Sequence, residues 1–198
     1  MDYTNLYEKL YQMGYHGDGT NSGLNHTWHI FFKYYDKISS ILDAGCSQGL
    51  TVKKYLERGL DAYGFDISPT AIKLAEENGL KGRCVIGNIL QIPFSKHSVD
   101  AIVCTDVLEH LSPEDVDLAL SELFRVARKY LFLRISKSIE GRKDWLRKVR
   151  KENPSVVFDI DNLHLSVFPH KQWQEWVEAK GSKLIEKDGK LMVFKIND

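Results

Sequence analysis

Asp43, Gly45, Ser47 and Gly49 stand at alternate positions where the apolar run SSIL gives way to small residues, in the stretch SSILDAGCSQGL. A strand that ends in a glycine-bearing turn ahead of a helix offers backbone N–H groups and close backbone approach to a ligand. A dinucleotide, a nucleotide phosphate or a nucleoside would each suit such a turn. The dinucleotide pattern G-x-G-x-x-G is not met, and Leu50 and Thr51 follow Gly49 where a phosphate loop requires Lys. What remains is a loop with an acid at its entrance. That acid makes sense beside a ligand carrying a positive ammonium and little sense beside a pyrophosphate.

On these residues the chain resembles the class I S-adenosylmethionine-dependent methyltransferases. Their first motif, D-x-G-x-G-x-G, is matched by Asp43, Gly45 and Gly49, with Ser47 in place of the middle glycine. A Ser there is small enough to keep the close approach, although the left-handed backbone favours glycine. The family's acid at the end of the second strand, which holds both ribose hydroxyls, corresponds to Asp66 in YGFDIS, since a carboxylate can accept two hydrogen bonds from a diol. Where the family usually has an Asp after the third strand, IGNI supplies Asn88, whose amide oxygen can accept from an adenine amino group beside the Ile89 N–H. VDAIVCTDVLEHL is similar to the stretch after the fourth strand in the subgroup that includes ubiquinone-biosynthesis and many small-molecule methyltransferases. The resemblance runs from about residue 39 to residue 196. It implies S-adenosylmethionine as cofactor, with Cys46 and Ile67 beside the residues already named and Asp106 after the fourth strand.

Methyl transfer from a sulfonium is an in-line displacement, so the first requirement is an acceptor lone pair held opposite the leaving sulfur. A sugar or phenol hydroxyl also needs a general base. Ligands of open α/β sheets bind at the carboxyl ends of the strands, where Asp106, Glu109 and His110 follow the fourth strand and Asp159, Asp161, Asn162 and His164 follow the fifth. His164 is the preferred base, with Asp161 and His110 completing the candidate catalytic set. A capping or packing role for His164, and a structural or cofactor-side role for His110, are the competing readings. Spacing among Asp159, Asp161 and His164 is too loose to predict a hard cation, so no metal is expected. No N-P-P-Y-like string follows the fourth strand and no Pro-Cys pair is present, which argues against base or glutamine amino groups and against attack on cytosine. The expected acceptor is a small or glycan hydroxyl, with a sugar preferred. N- or C-methylation of a metabolite is the second reading, and an inactive cofactor-binding subunit the third.

The elements that must position these groups can be read from periodicity. Five apolar runs, SSILDAG, DAYGFD, GRCVIGN, VDAIVCTD and YLFLRIS, alternate with helical patterns, predicting a parallel sheet with helices on both faces. Ser68 and Pro69 start one helix that Gly79 ends, and SPEDVDLALSELFRVARK gives a second with Val116, Leu120, Leu123 and Ala127 on one face. A further helix places Trp173, Trp176 and Val177 together, and Asp188-Gly189 joins two closing strands as an antiparallel hairpin. The expectation is one Rossmann-like α/β domain with a seven-stranded, mostly parallel sheet over residues 39–198, preceded by a lid or cap over residues 1–38. A helix packed on the sheet is the plainer reading of those first residues, and the two are compatible.

The 198 residues carry 27 basic and 27 acidic side chains, so no overall field recruits nucleic acid or an anionic membrane. The seven basic residues from Lys137 to Lys151 suit either a phosphate or acidic-glycan patch or the solvated face of an amphipathic helix. Cys46, Cys84 and Cys104 lie widely spaced in apolar surroundings, as buried reduced thiols of a cytoplasmic protein would. No window approaches about 18 uninterrupted apolar residues, and the start has no leader pattern. Composition says nothing of oligomeric state.

Overall fold

The computed structural model describes residues 1–15, 28–138, 143–152 and 162–197, with the backbone alone for 144 and 145. Helix α1 (Tyr3–Gln12) comes first, its N-terminus capped by the Asp2 carboxylate, which accepts from Asn5 N–H at 3.0 Å. A short helix α2 (Trp28–Phe31) runs into the 3-10 turn Phe32–Lys37. Then follow β1 (Ser40–Ala44), α3 (Leu50–Leu56), β2 (Asp61–Asp66), α4 (Pro69–Ala75), β3 (Cys84–Ile86), β4 (Val99–Thr105), α5 (Val116–Val126) and β5 (Ala127–Arg134). The chain closes with α6 (Lys143–Glu152), α7 (His170–Ala179), β6 (Ser182–Asp188) and β7 (Leu191–Ile196).

The sheet order is β3-β2-β1-β4-β5-β7-β6, with β1 to β5 parallel and β7 antiparallel to both neighbours. This is the expected seven-stranded Rossmann-like sheet with its antiparallel hairpin. Because side chains alternate along each strand, the sheet has two apolar faces. Leu42, Ile102, Leu131 and Phe194 meet α5 and α7 on one, and Ile41, Val103, Phe132 and Val193 meet α2, α3 and α4 on the other. A third cluster joins Leu10 of α1 to Leu146 and Val149 of α6 and to Leu163. The basic helix therefore has a buried apolar stripe, as its amphipathic reading required; the Trp145 side chain lies outside the described residues.

Ser68 caps α4, its Oγ accepting from Ala71 N–H at 3.1 Å, Pro69 occupies the first turn, and Gly79 ends the helical stretch at φ 86°. One boundary differs from expectation. Ser112 and Pro113 open a 3-10 turn rather than α5 itself, and Ala127, placed on the helix by periodicity, begins β5. No glycine separates the two elements, and pairing of Ala127 with Val99 on β4 overrides the helical pattern there.

Candidate active site

The parallel strands β1, β2 and β4 end at one edge, and a cleft of about 690 Å³, counted out to its mouth, opens there. Its floor is the first loop. Gly45 N–H and Cys46 N–H both donate to Phe65 O at 2.9 Å, which ties the loop to the end of β2. Gly45, Ser47 and Gly49 have φ of 79°, 52° and 75°, so Ser47 adopts the left-handed geometry in which the middle glycine would otherwise stand. A Cβ on Gly45 would come within 2.5 Å of Val107 Cγ2, another wall of the cleft.

Asp66 is buried and lines the cleft. Its carboxylate accepts from Ser68 N–H at 3.0 Å and Ser47 N–H at 2.9 Å, with the Tyr11 hydroxyl at 3.5 Å. Burial raises its pKa, and the backbone donors Ser68, Ser47 and Ile67 oppose that shift. Asp43 is buried in β1, and burial, then the nearby Asp66 charge, push its carboxyl up to about 7. A cation in the cleft would favour its ionised form. Cys46 turns its side chain into the sheet-face core against Gly64, where an added Cβ would lie 2.6 Å from Cys46 Cβ. Asp43, Cys46, Ser47 and Gly49 thus support the floor, while Gly45, Asp66, Ile67, Asn88, Ile89 and Asp106 reach the cleft.

Two of these residues are already engaged. Asn88 Oδ1 accepts from Leu90 N–H at 2.9 Å, forming a turn of its own. Asp106, in left-handed backbone at φ 55°, is paired with Arg134. The catalytic candidates are partly gathered. His110 lines the cleft and His164 stands edge-on to it, with ring centroids 4.8 Å apart. Asp161 lies outside the described residues, as does Asp159.

The segment carrying His164 is stitched to the turn after β4. Leu165 N–H and Ser166 N–H donate to Glu109 O at 2.8 and 3.0 Å, and His110 Nδ1–H donates to Leu163 O at 2.9 Å. Those bonds bring together histidines separated by more than fifty positions in the chain.

A lid or cap is expected over residues 1–38, but the sequence alone does not single out its tyrosines. Tyr3, Tyr7, Tyr11 and Tyr15 all line the cleft; the first three share one face of α1 by their spacing of four residues, and Tyr15 follows in the turn after it. That spacing was the available signal. The Tyr7 hydroxyl is buried without a partner among the described residues, and burial raises its pKa well above the usual phenol value. Helix α1 is fastened at both ends. Tyr3 donates to Asp115 Oδ2 at 2.6 Å and accepts from Ser112 N–H at 2.8 Å. Glu8 accepts from Ser68 Oγ, Thr70 N–H and Thr70 Oγ1 at 2.7, 3.0 and 2.6 Å.

Comparison with known proteins concurs with this geometry. Residues 42–132 match the family described as "Methyltransferase domain". An uncharacterized methyltransferase of Geobacillus kaustophilus is 33% identical over an alignment of 129 residues that covers 58% of this chain and 60% of that protein. The chain therefore spans less than two thirds of that relative. Among solved structures, the magnesium protoporphyrin IX methyltransferase of Synechocystis with bound S-adenosylhomocysteine superimposes with a TM-score of 0.70 at 15% identity, covering 99% of this chain and 100% of that one. The 1,6-didemethyltoxoflavin N1-methyltransferase of Burkholderia thailandensis gives 0.70 at 16%, covering 99% and 88%. These likenesses are of fold.

Proposed function

We propose that the chain is an S-adenosylmethionine-dependent methyltransferase acting on an oxygen of a small polar acceptor, a sugar hydroxyl by preference. The observation that carries the reading is Asp66, a buried carboxylate at the cleft edge of β2 beside a left-handed loop. The donor set fits the cofactor: Asp66 for the ribose diol, Ile67 and Ile89 as apolar walls for the base, and Asp43 as a nearby negative charge for a cationic ligand. The methyltransferase relatives and the structures bound to S-adenosylhomocysteine support the same assignment.

When bound, S-adenosylmethionine supplies an electrophilic methyl group on a sulfonium sulfur. The protein then has to align, dry and deprotonate. An acceptor hydroxyl that takes this methyl group would have to be held opposite the sulfonium and would have to give up its proton to a residue of this chain. His164 Nδ1–H donates to Ser138 O at 2.7 Å, which makes Nε2 the basic nitrogen of the neutral ring and suits the His110–His164 pair to receive that proton. The tyrosine face of α1 excludes water above the cleft and offers rings and hydroxyls to a polyhydroxylated acceptor. Three buried free thiols and the absence, among the described residues, of a helix long and apolar enough to cross a membrane accord with a cytoplasmic enzyme.

Calorimetric titration with S-adenosylhomocysteine tests the reading. Saturable binding is expected, and Asp66→Ala should weaken it about 100-fold, as two hydrogen bonds to a charged acceptor are lost. No binding by the wild-type protein would end it. His164→Ala should then lower turnover with affinity for the cofactor product intact; unchanged turnover would assign N-methylation or another base.

A further inference from the structure

Beside the cleft lies a second group of chemistry-bearing side chains that cofactor binding does not use. Glu109, His110 and His164 each offer one donor atom, and these three atoms lie within 4.8 Å of one another. Glu109 is fully buried in the turn after β4. One of its oxygens accepts from Ser136 N–H at 2.8 Å, while Oε2 is buried with no hydrogen-bond partner among the described residues. A buried carboxylate oxygen without a partner is costly unless something positive meets it. The imidazoles themselves are oriented. His110 Nδ1–H donates to Leu163 O and His164 Nδ1–H donates to Ser138 O, at 2.9 and 2.7 Å. A backbone carbonyl on one ring nitrogen is the support that metal-bound histidines ordinarily have, because it fixes the tautomer and the ring plane.

We propose that Glu109, His110 and His164 form a binding site for one divalent first-row transition-metal ion at the acceptor edge of the cleft. Two imidazole nitrogens and one carboxylate oxygen select a borderline ion such as Zn²⁺, Co²⁺ or Fe²⁺ over Mg²⁺ or Ca²⁺, which take oxygen ligands. Three protein ligands leave coordination positions for an acceptor. Since His110 is itself a wall of the cleft, an ion on it reaches the space where the acceptor stands. In the metal-bound protein the imidazoles would serve as ligands, and the ion would lower the pKa of the acceptor hydroxyl, whose proton would leave to water at the mouth of the cleft. That consequence rests on the methyl-transfer reading, whereas binding of the ion does not.

The test is titration of chelator-treated full-length protein with Co²⁺, followed by visible absorption, and with Zn²⁺ by calorimetry. S-adenosylhomocysteine binding is measured on the same samples. One equivalent of metal should bind, and His164→Ala, at a half-buried position that tolerates truncation, should weaken it more than about 100-fold, beyond the loss typical of a supporting residue. Glu109→Gln should do the same, with S-adenosylhomocysteine affinity retained by both variants as the control for folding. Lack of saturable metal binding, or binding of equal strength in His164→Ala, overturns the site. Nucleoside binding without metal binding removes this proposal alone, and metal binding without nucleoside binding removes the cofactor reading alone.

Discussion

Glu8 carries the clearest prediction, because one side chain fastens the roof of the cleft to its floor. Its carboxylate accepts three hydrogen bonds from residues 68 and 70 at the start of α4, one of them from the Thr70 N–H that the helix cannot satisfy internally. Burial disfavours the Glu8 charge, but the bonds from Thr70 and Ser68 outweigh it and hold the carboxyl at about 2, against an ordinary 4.5. Three charge-assisted bonds would be worth several kcal/mol if buried; at this half-exposed position about 2 kcal/mol remains after solvent screening. Glu8→Ala should therefore lower hydrogen-exchange protection of α1 amides by about 30-fold while leaving β1 and β4 amides unchanged. Acid supplies a second arm. The folded pKa is depressed, so the stabilisation is complete above 4.5 and is lost as pH falls towards about 2. Wild-type α1 should loosen across that window, and Glu8→Gln should reduce the pH dependence to the part carried by Asp115, whose carboxyl the Tyr3 hydroxyl holds below its ordinary value. Equal α1 protection in wild type and Glu8→Ala, or acid loosening undiminished in Glu8→Gln, would refute the reasoning.

Two further perturbations probe the scaffold. Asp100 is buried, accepts from Ser39 N–H and Oγ at 2.8 and 2.9 Å, and meets Arg128 and Lys129 at 3.1 and 3.2 Å. Asp100→Ala leaves those donors unmatched and should cost about 3 kcal/mol, a fall of roughly 6–12 °C in Tm by calorimetry; an unchanged Tm would show that the network adds nothing. At Gly49 a Cβ would lie 2.3 Å from Leu80 Cδ1 on a backbone with φ 75°. Gly49→Ala should lose about 2 kcal/mol in urea unfolding, and a wild-type midpoint would mean that the loop relaxes freely.

The sheet was legible from the chain because its signals are local: apolar runs of strand length, Ser68-Pro69 at a helix start, Asp188-Gly189 at a hairpin. Residues at strand ends, such as Asp66, were legible for the same reason. What stayed hidden depends on distant pairings. Nothing near His164 states that Leu165 and Ser166 will donate to Glu109 O, so the cluster with Glu109 could not be read, and the sequence offers only the looser set Asp159, Asp161 and His164, from which no metal is expected. Asn88 reaches the cleft, and what its sequence neighbours do not show is that its Oδ1 also accepts from Leu90 N–H in a turn of its own. The roof tyrosines were visible as a period of four, but which surface that face would cover is decided by Glu8 and Tyr3 reaching α4 and Asp115.

The position of β7 bears on how the chain comes to be folded. It follows every other strand in sequence, yet it lies inside the sheet, hydrogen-bonded to β5 on one side and β6 on the other. During synthesis β1 to β5 can assemble as they emerge, but the outer edge of β5 then stands unpaired, with Leu131 and Leu133 on its apolar face. A bare apolar strand edge is a template for other chains. The interval between emergence of β5 and arrival of the β6–β7 hairpin is thus when a newborn chain is most exposed to aggregation, and a ribosome stalled in that interval would display a nearly complete cleft beside an open seam.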